Sequence, residues 1–126
     1  MKRKKELSKC EITTMKCIWD INHPVTCAEV MERLQNNYGL EYKDTTVYTF
    51  LKNLKEKGFV DSYRKGLTYY VPLCTEEEYR NEMLKQQKKF WFGNSAVQMV
   101  SAMFQAEQLS DQEREELKRL IDEWNQ

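Results

Sequence analysis

The 126-residue sequence contains little of what an active site or a membrane span requires. It has one histidine, His23, and its four glycines fall in no phosphate-binding pattern. No apolar run approaches the roughly 20 residues that a membrane span needs. The N-terminal segment MKRKKELSKCE is basic without an apolar stretch behind it, so it does not resemble a signal peptide. We therefore expect a cytoplasmic protein that is not an enzyme, does not contact a membrane and uses no cofactor.

The four cysteines form no pattern typical of a metal site or a disulfide framework. None stands in a C-x-x-C pair, and Cys10 and Cys17 would lie too far apart on one helix for a relaxed disulfide. We expect four buried or half-buried thiols, Cys10, Cys17, Cys27 and Cys74, and no metal site. A thiol- or metal-responsive protein that uses these scattered cysteines is the alternative.

The formal net charge of zero conceals two halves of opposite sign. Residues 1–74 contain 13 basic and 9 acidic side chains, a net charge of +4, whereas residues 75–126 contain 7 and 11, a net charge of −4. This asymmetry is consistent with one part that contacts a polyanion and one part that does not.

The first part of the chain begins with the periodicity of two helices. Apolar side chains at helical spacing predict the first helix over about 7–21. Thr26 opens a capping box with Glu29, and the second helix runs from there until Gly39 stops it.

A third helix and a hairpin follow. The helix spans 45–57, with Asp44 as its expected N-cap and Gly58 as its left-handed C-terminal residue. Two β-type runs then flank a turn at Gly66, and Pro72 ends the second run. The order helix, helix, helix, hairpin is that of a winged helix-turn-helix, in which the third helix enters the DNA major groove and the hairpin, or wing, lies against the backbone.

Residues 75–126 predict three further helices and no strand. Capping boxes open two of them, Thr75 with Glu78 and Ser110 with Glu113. We therefore expect a mainly α fold with a small β-hairpin: a winged helix-turn-helix domain over 1–74 and a helical region over 75–126.

The helices of 75–126 carry more apolar side chains than two helical neighbours would cover, so we expect this region to form a homodimer. The alternative is that these helices fold back onto 1–74. The residues expected at the dimer interface are Val97, Val100, Met103, Phe104, Leu117, Leu120, Ile121 and Trp124.

The segment TTVYTFLKNLKEKGFV, residues 45–60, carries the main functional signal. At about 3.6 residues per turn its apolar side chains cluster on one face, while hydroxyls and a lysine lie opposite. Threonine can bond a base edge or a phosphate, and lysine provides a point charge. We expect the helix over 45–57 to lie in the major groove and the wing around 61–70 to lie beside it. The residues expected to contact DNA on this reasoning are Thr45, Tyr48, Thr49, Lys52, Arg64 and Lys65.

Two other interpretations compete with DNA binding. The outer face of one helix in isolation is more often an ordinary solvated surface. A winged helix can also serve as a protein-interaction module, but such a module needs neither a basic outer face nor the cations Arg64 and Lys65 at the tip of the wing.

Several segments in one order resemble a known family. The first helix contains Leu7, Ser8, Glu11, Met15 and Trp19. The third helix contains Thr46, Val47, Thr49, Leu54, Lys57 and Gly58. With the wing RKGLTYYVPL and the closing helix LSDQEREELKRLI, these segments resemble the penicillinase-repressor family of bacterial transcription factors, from about residue 7 to 124.

The resemblance implies a homodimeric repressor, each subunit of which reads half of a palindromic operator. It implies that Thr46 and Thr49 approach DNA. Because Thr46 lies to one side of the helix, a phosphate contact suits it better than a base contact. The other positions that the resemblance places near DNA are Lys43, Thr45, Arg64 and Lys65.

The chain departs from the family pattern at three points. Tyr48 replaces a longer hydrophilic side chain, which predicts an altered base preference. Some members are inactivated by a sensor protease that cleaves an Asn-Phe bond; the counterpart here is Met103-Phe104, which argues against the same cleavage. Copper-responsive members carry C-terminal cysteines, whereas this chain has none after Cys74.

Overall fold

The computed structural model describes residues 6–124, and the elements follow the predicted order of three helices, a hairpin and three helices. They are α1 (Lys9–Asp20), α2 (Cys27–Tyr38), α3 (Asp44–Glu56), β1 (Val60–Lys65), β2 (Leu67–Pro72), α4 (Glu76–Phe92), α5 (Ala96–Ala106) and α6 (Asp111–Trp124). The mainly helical fold with a two-stranded antiparallel wing is therefore confirmed. The described residues form two compact units, one ending at Arg80 and the other beginning at Asn81. The functional division between 1–74 and 75–126 stays a prediction.

Capping boxes begin four of the helices. In α2 the Glu29 amide donates to the Thr26 hydroxyl (3.3 Å) and the Thr26 amide donates to the Glu29 carboxylate (3.0 Å). The other two predicted boxes, before α4 and α6, are also present. A fourth, between Ser8 and Glu11, opens α1 and was not identified from the sequence.

The prediction that Asp44 caps α3 is wrong by one residue. The N-cap is Lys43, which makes no side-chain cap bond, and Asp44 is the first residue of the helix. Its carboxylate accepts a hydrogen bond from the Thr45 amide (2.7 Å) and lies in the first turn, where a negative charge is favourable to the helix dipole.

The core of the first unit lies between α1, α2 and α3, and β2 closes it on one side. A bridge between Val25 and Tyr70 joins the start of α2 to β2, with N···O distances of 3.0 and 2.7 Å. The indole N–H of Trp19 donates to the carbonyl oxygen of Cys74 (2.9 Å), so α1 also holds the end of the hairpin. The fully buried apolar side chains of this core include Met15, Ile18, Val30, Leu34, Val47, Leu51 and Leu54.

One nearly buried ion pair joins the end of α3 to the start of α1. Lys57 Nζ donates to the Glu11 carboxylate (2.6 Å) and to the carbonyl oxygen of Glu6 (3.1 Å). Burial alone raises the pKa of the Glu11 carboxyl, but hydrogen bonds from Lys57 and from the Ser8 amide outweigh it and hold the pKa below its ordinary value. The ion pair therefore holds the end of α3 against the start of α1 while the Glu11 carboxyl is ionised.

The second unit contains the greater part of α4, which begins in the first unit, together with α5 and α6. None of these three helices has a buried residue among the described side chains. Gly93 and Asn94 both adopt positive φ values and end α4, and the Ser95 hydroxyl caps α5. A groove of about 400 Å³ lies between α5 and α6. Its lining residues are Phe104, Gln108, Leu109, Arg114, Leu117, Lys118 and Ile121.

The cysteines are packed as predicted: Cys17, Cys27 and Cys74 are buried, Cys10 is half-buried, and all four are free thiols. Burial raises the pKa of Cys17 to about 11, so this thiol stays protonated near neutral pH. In the part of the chain that the structure describes, no helix is long and apolar enough to cross a membrane.

Candidate nucleic-acid interface

The third helix has the two faces that its sequence predicts. Val47, Leu51 and Leu54 are fully buried, and Phe50 is half-buried with its ring edge-on to Tyr42 (centroids 5.2 Å apart). The exposed face carries Thr45, Thr49, Lys52 and Glu56. Thr46 is half-buried at the side of the helix, a position that suits a contact with the DNA phosphate backbone better than one with a base edge.

Short side chains make the outer face of α3 easy to approach. The Thr49 hydroxyl donates to the Thr45 carbonyl oxygen one turn earlier (3.0 Å), so its proton is used within the helix. What Thr49 presents outward is a methyl group and oxygen lone pairs, the features that pack against a thymine methyl or accept from a base amino group.

Tyr48 lies at the edge of this face and is 49% exposed. Its hydroxyl interacts with the thiol of Cys27, the first residue of α2. Burial raises the pKa of Cys27, Asp44 raises it further, and the hydrogen bond from Tyr48 opposes both. The sequence pattern alone did not indicate this contact, because the two residues belong to different helices.

The lysines of this region have two different roles. Lys43 and Lys52 are exposed, and neither has an ion-pair partner within residues 6–124. Lys55 instead donates to the Ser62 hydroxyl (2.7 Å) and connects α3 to the wing, while Lys57 is held by Glu11. Lys43 and Lys52 therefore have their full ammonium groups available to a phosphate, whereas Lys57 is neutralised by Glu11.

The two cations at the tip of the wing point to opposite sides. The register pairs Arg64 with Thr68 and Lys65 with Leu67. Because side chains alternate along a strand, Arg64 shares the face of Ser62, the residue that contacts α3, and Lys65 lies on the other face. The two-residue period of a strand thus separates two cations that are adjacent in the sequence.

An aromatic pair supports the wing behind its tip. The rings of Tyr63 and Tyr69 stack with centroids 5.6 Å apart on the face that carries Lys65. Arg64 and Lys65 are both exposed, and the described part of the chain offers neither of them an ion-pair partner. The wing therefore presents free positive charge on both faces of a braced hairpin.

The residues that carry the family resemblance in α1 hold the fold together. Glu11 caps α1 and pairs with Lys57, Met15 is fully buried, and Trp19 bonds to the hairpin end. Gly58 follows α3 with a φ of 85°, a left-handed conformation that a side chain would strain. These positions support the site but do not belong to it.

The predicted dimerisation residues lie on α5 and α6, within one unit. All except the half-buried Leu117 are exposed in a single chain, and Trp124 is 74% exposed. Met103 and Phe104 are exposed inside α5. Phe104, Leu117 and Ile121 also line the groove between the two helices, so the apolar surface is continuous across them.

A family model and a curated relative both match this chain over nearly its whole length. The family described as penicillinase repressor matches residues 7–123. The penicillinase repressor of Bacillus licheniformis is 25% identical over 124 residues, which cover 98% of this chain and 94% of that protein.

Two solved structures are also similar. The solution structure of the monomeric form of Bacillus licheniformis BlaI in complex with the blaP half-operator is 28% identical, with a TM-score of 0.49, and the match covers 63% of this chain and 94% of that one. The hsRosR-S4 complex structure is 14% identical with a TM-score of 0.53, over 94% of this chain and 90% of that one, a likeness of fold alone.

Proposed function

The chain belongs to the penicillinase repressor family, and from this premise we propose that it represses transcription as a homodimer that binds a palindromic operator. Each subunit places α3 in the major groove and the wing against the neighbouring backbone. A repressor must reach the chromosome, so its place is the bacterial cytoplasm. Its action is binding, and it is not an enzyme.

The observation that carries this proposal is the pairing of a small hydroxylic face with free cations. Thr45 and Thr49 allow close approach to the bases, and Lys52 lies on the same face. Lys43 precedes the helix, and Arg64 extends the cationic surface onto the wing. The described part of the chain offers Lys43, Lys52 and Arg64 no ion-pair partner, so their charges are free to meet phosphates.

The DNA-binding residues that we propose fall into two groups. Thr49 and Tyr48 read bases, the first by its methyl group and lone pairs and the second from the edge of the groove. The phosphate-binding group consists of Lys43, Thr45, Thr46, Lys52 and Arg64. Lys65 contacts DNA from the tip of the wing.

Dimerisation accounts for the exposed apolar side chains of α5 and α6. Neither helix has a fully buried residue in one chain, and their exposed apolar side chains include Val97, Val100, Leu120, Ile121 and Trp124. A second copy of the same surface covers it in a two-fold arrangement, which also matches a palindromic operator.

The bond between Met103 and Phe104 is the counterpart of the cleaved bond in protease-controlled members. Here it lies inside α5. A helical bond must open locally before a protease can cleave it. We therefore propose that a sensor protease is not required for control of this protein.

The buried cysteines do not favour the thiol-responsive alternative. Cys17 has a pKa of about 11, and burial raises the pKa of Cys27 as well. Thiols that respond to oxidants or metals need thiolate character and access, both of which burial reduces.

Two variants of α3 test the groove-facing assignment. Duplexes that bind the full chain are first selected from a random-sequence pool. Lys52→Ala should then weaken binding to all selected duplexes alike, because a phosphate contact carries no sequence information. Thr49→Ala should weaken binding and also change which bases are preferred. If Thr49→Ala left affinity and preference unchanged, Thr49 would not face the bases.

A further inference from the structure

The tip of the wing, residues 65–67, presents an apolar side chain among cations. Gly66 alone separates the two strands and has a φ of 75°. Leu67 follows it and is 61% exposed, and it is paired across the hairpin with the exposed Lys65. A leucine at the end of a two-stranded hairpin gains nothing from facing water.

The positive charge around this leucine favours a polyanion as its binding partner. Between Asp61 and Glu76 the only charged residues are Arg64 and Lys65, both positive and exposed. Arg64 lies on the face of the hairpin that contacts α3, so the tip is continuous with the proposed DNA surface. A narrow, positive tip with an apolar end complements the minor groove, whose negative potential is strongest where A·T tracts narrow it.

We propose that the wing tip enters the minor groove at the flank of each half-site and that Leu67 selects A·T pairs there. This inference rests on the proposed DNA-binding function and adds a second site of sequence recognition to it. The α3 helix reads the major groove, and Leu67 with Lys65 reads the floor of the minor groove.

The chemistry of the minor-groove floor accounts for the selection. A·T and T·A pairs present only acceptors there, and G·C adds the N2 amino group of guanine. The Lys65 ammonium can donate to those acceptors, but it cannot accept from an amino group. Leu67 has no polar atom, so against G·C it would cover an unpaired donor and meet the volume of the amino group as well.

The stacked tyrosines behind the tip restrict the conformation of the hairpin before it binds. Tyr63 and Tyr69 pack on the face of the hairpin that also carries Lys65 and Leu67. A braced hairpin loses less conformational freedom on insertion than a flexible loop does.

Base substitution in the flank tests the proposal. The full chain is equilibrated with duplexes selected from a random pool, in which the flanking pairs are A·T, G·C or inosine·C. Inosine·C has the major-groove edge of G·C but lacks the amino group in the minor groove. We expect G·C to weaken binding about five-fold or more, the lower range for one mismatched pair, and inosine·C to restore binding to within about two-fold of A·T.

Two variants separate Leu67 from the rest of the wing. Leu67→Ala should abolish most of the difference between A·T and G·C flanks. Leu67→Asn, which supplies an acceptor for the guanine amino group, should also reduce it. The matched control is Leu73→Ala, the same change at a 41% exposed leucine beyond the end of β2, which should keep the full discrimination.

Four results would overturn the inference. If inosine·C behaves like G·C, the flank is not read through the minor groove. If Leu67→Ala keeps the discrimination, another residue reads it. A chain that binds duplex DNA with no flank preference excludes the tip contact and leaves the proposed function intact, whereas a chain that binds no duplex at all excludes both.

Discussion

Replacing Lys57 by methionine removes the cation that faces the buried carboxylate of Glu11. The side chain of Glu11 is 5% exposed and that of Lys57 is 20% exposed, and Lys57 Nζ lies 2.6 Å from the carboxylate oxygen. Methionine keeps most of the apolar stem, so the variant isolates the loss of charge and of two hydrogen bonds, to Glu11 and to the carbonyl oxygen of Glu6.

The expected loss in free energy of unfolding is about 2 to 3 kcal/mol at pH 7. Leaving one partner of a fully buried ion pair alone costs roughly 3–5 kcal/mol. Lys57 is partly exposed, and water that reaches the site after substitution reduces this cost. The matched control is Lys55→Met on the same helix, whose exposed bond to Ser62 should contribute about 0.5 kcal/mol or less.

The loss in free energy of unfolding should depend on pH, in a direction that follows from the pKa shift of Glu11. The pKa of Glu11 is lowered in the folded state, so its contribution is present above the ordinary pKa of 4.5 and is lost as the pH falls through the folded value. In Lys57→Met the pKa of Glu11 rises, because burial is no longer offset by the lysine. Near pH 4.5 the neutral carboxyl no longer needs a cation, so the difference between wild type and variant should shrink.

The assay is urea unfolding followed by tryptophan fluorescence at pH 7 and near pH 4.5, with the protein concentration held fixed because dimerisation contributes to stability. A loss no larger than that of Lys55→Met, or a loss that is the same at both pH values, would refute the role given to this pair.

Two further changes test other parts of the fold. Trp19→Phe removes the indole donor to the Cys74 carbonyl oxygen and should lower the free energy of unfolding by about 1 to 2 kcal/mol, measured by urea denaturation with circular dichroism; an unchanged midpoint would mean that this bond does not hold the hairpin. Ile121→Arg places a charge in the proposed dimer surface and should convert the full chain to a monomer in sedimentation velocity. The control Glu115→Arg, at an exposed position outside the predicted interface, should leave the chain dimeric. A dimeric Ile121→Arg chain would contradict the interface.

Local signals in the sequence predicted most of the architecture. The box between Thr26 and Glu29 and the glycine at position 58 mark helix ends through bonds that span only a few residues. Because both partners are close in the sequence, their spacing along the chain is enough to predict these bonds. The Asp44 cap was misplaced because an aspartate is favourable both at the N-cap and in the first turn, and the sequence does not separate the two positions.

Contacts between distant elements were not predictable in the same way. Glu11 and Lys57 both belong to the family resemblance, but only the packing of α1 against α3 shows that they pair. The interaction of Tyr48 with Cys27 depends on how closely α3 approaches the start of α2. The wing is an intermediate case, since strand alternation predicts that Arg64 and Lys65 face opposite ways once the register is known.

The measurement that tests the central claim most directly is a salt titration of full-chain binding to duplex DNA that includes the protein's own promoter region. If the cationic surface around α3 and the wing binds phosphates, the logarithm of the association constant falls linearly with the logarithm of salt concentration. Lys52→Ala should reduce that slope by about one. Absence of binding at low salt, or binding that does not change with salt, would contradict the account.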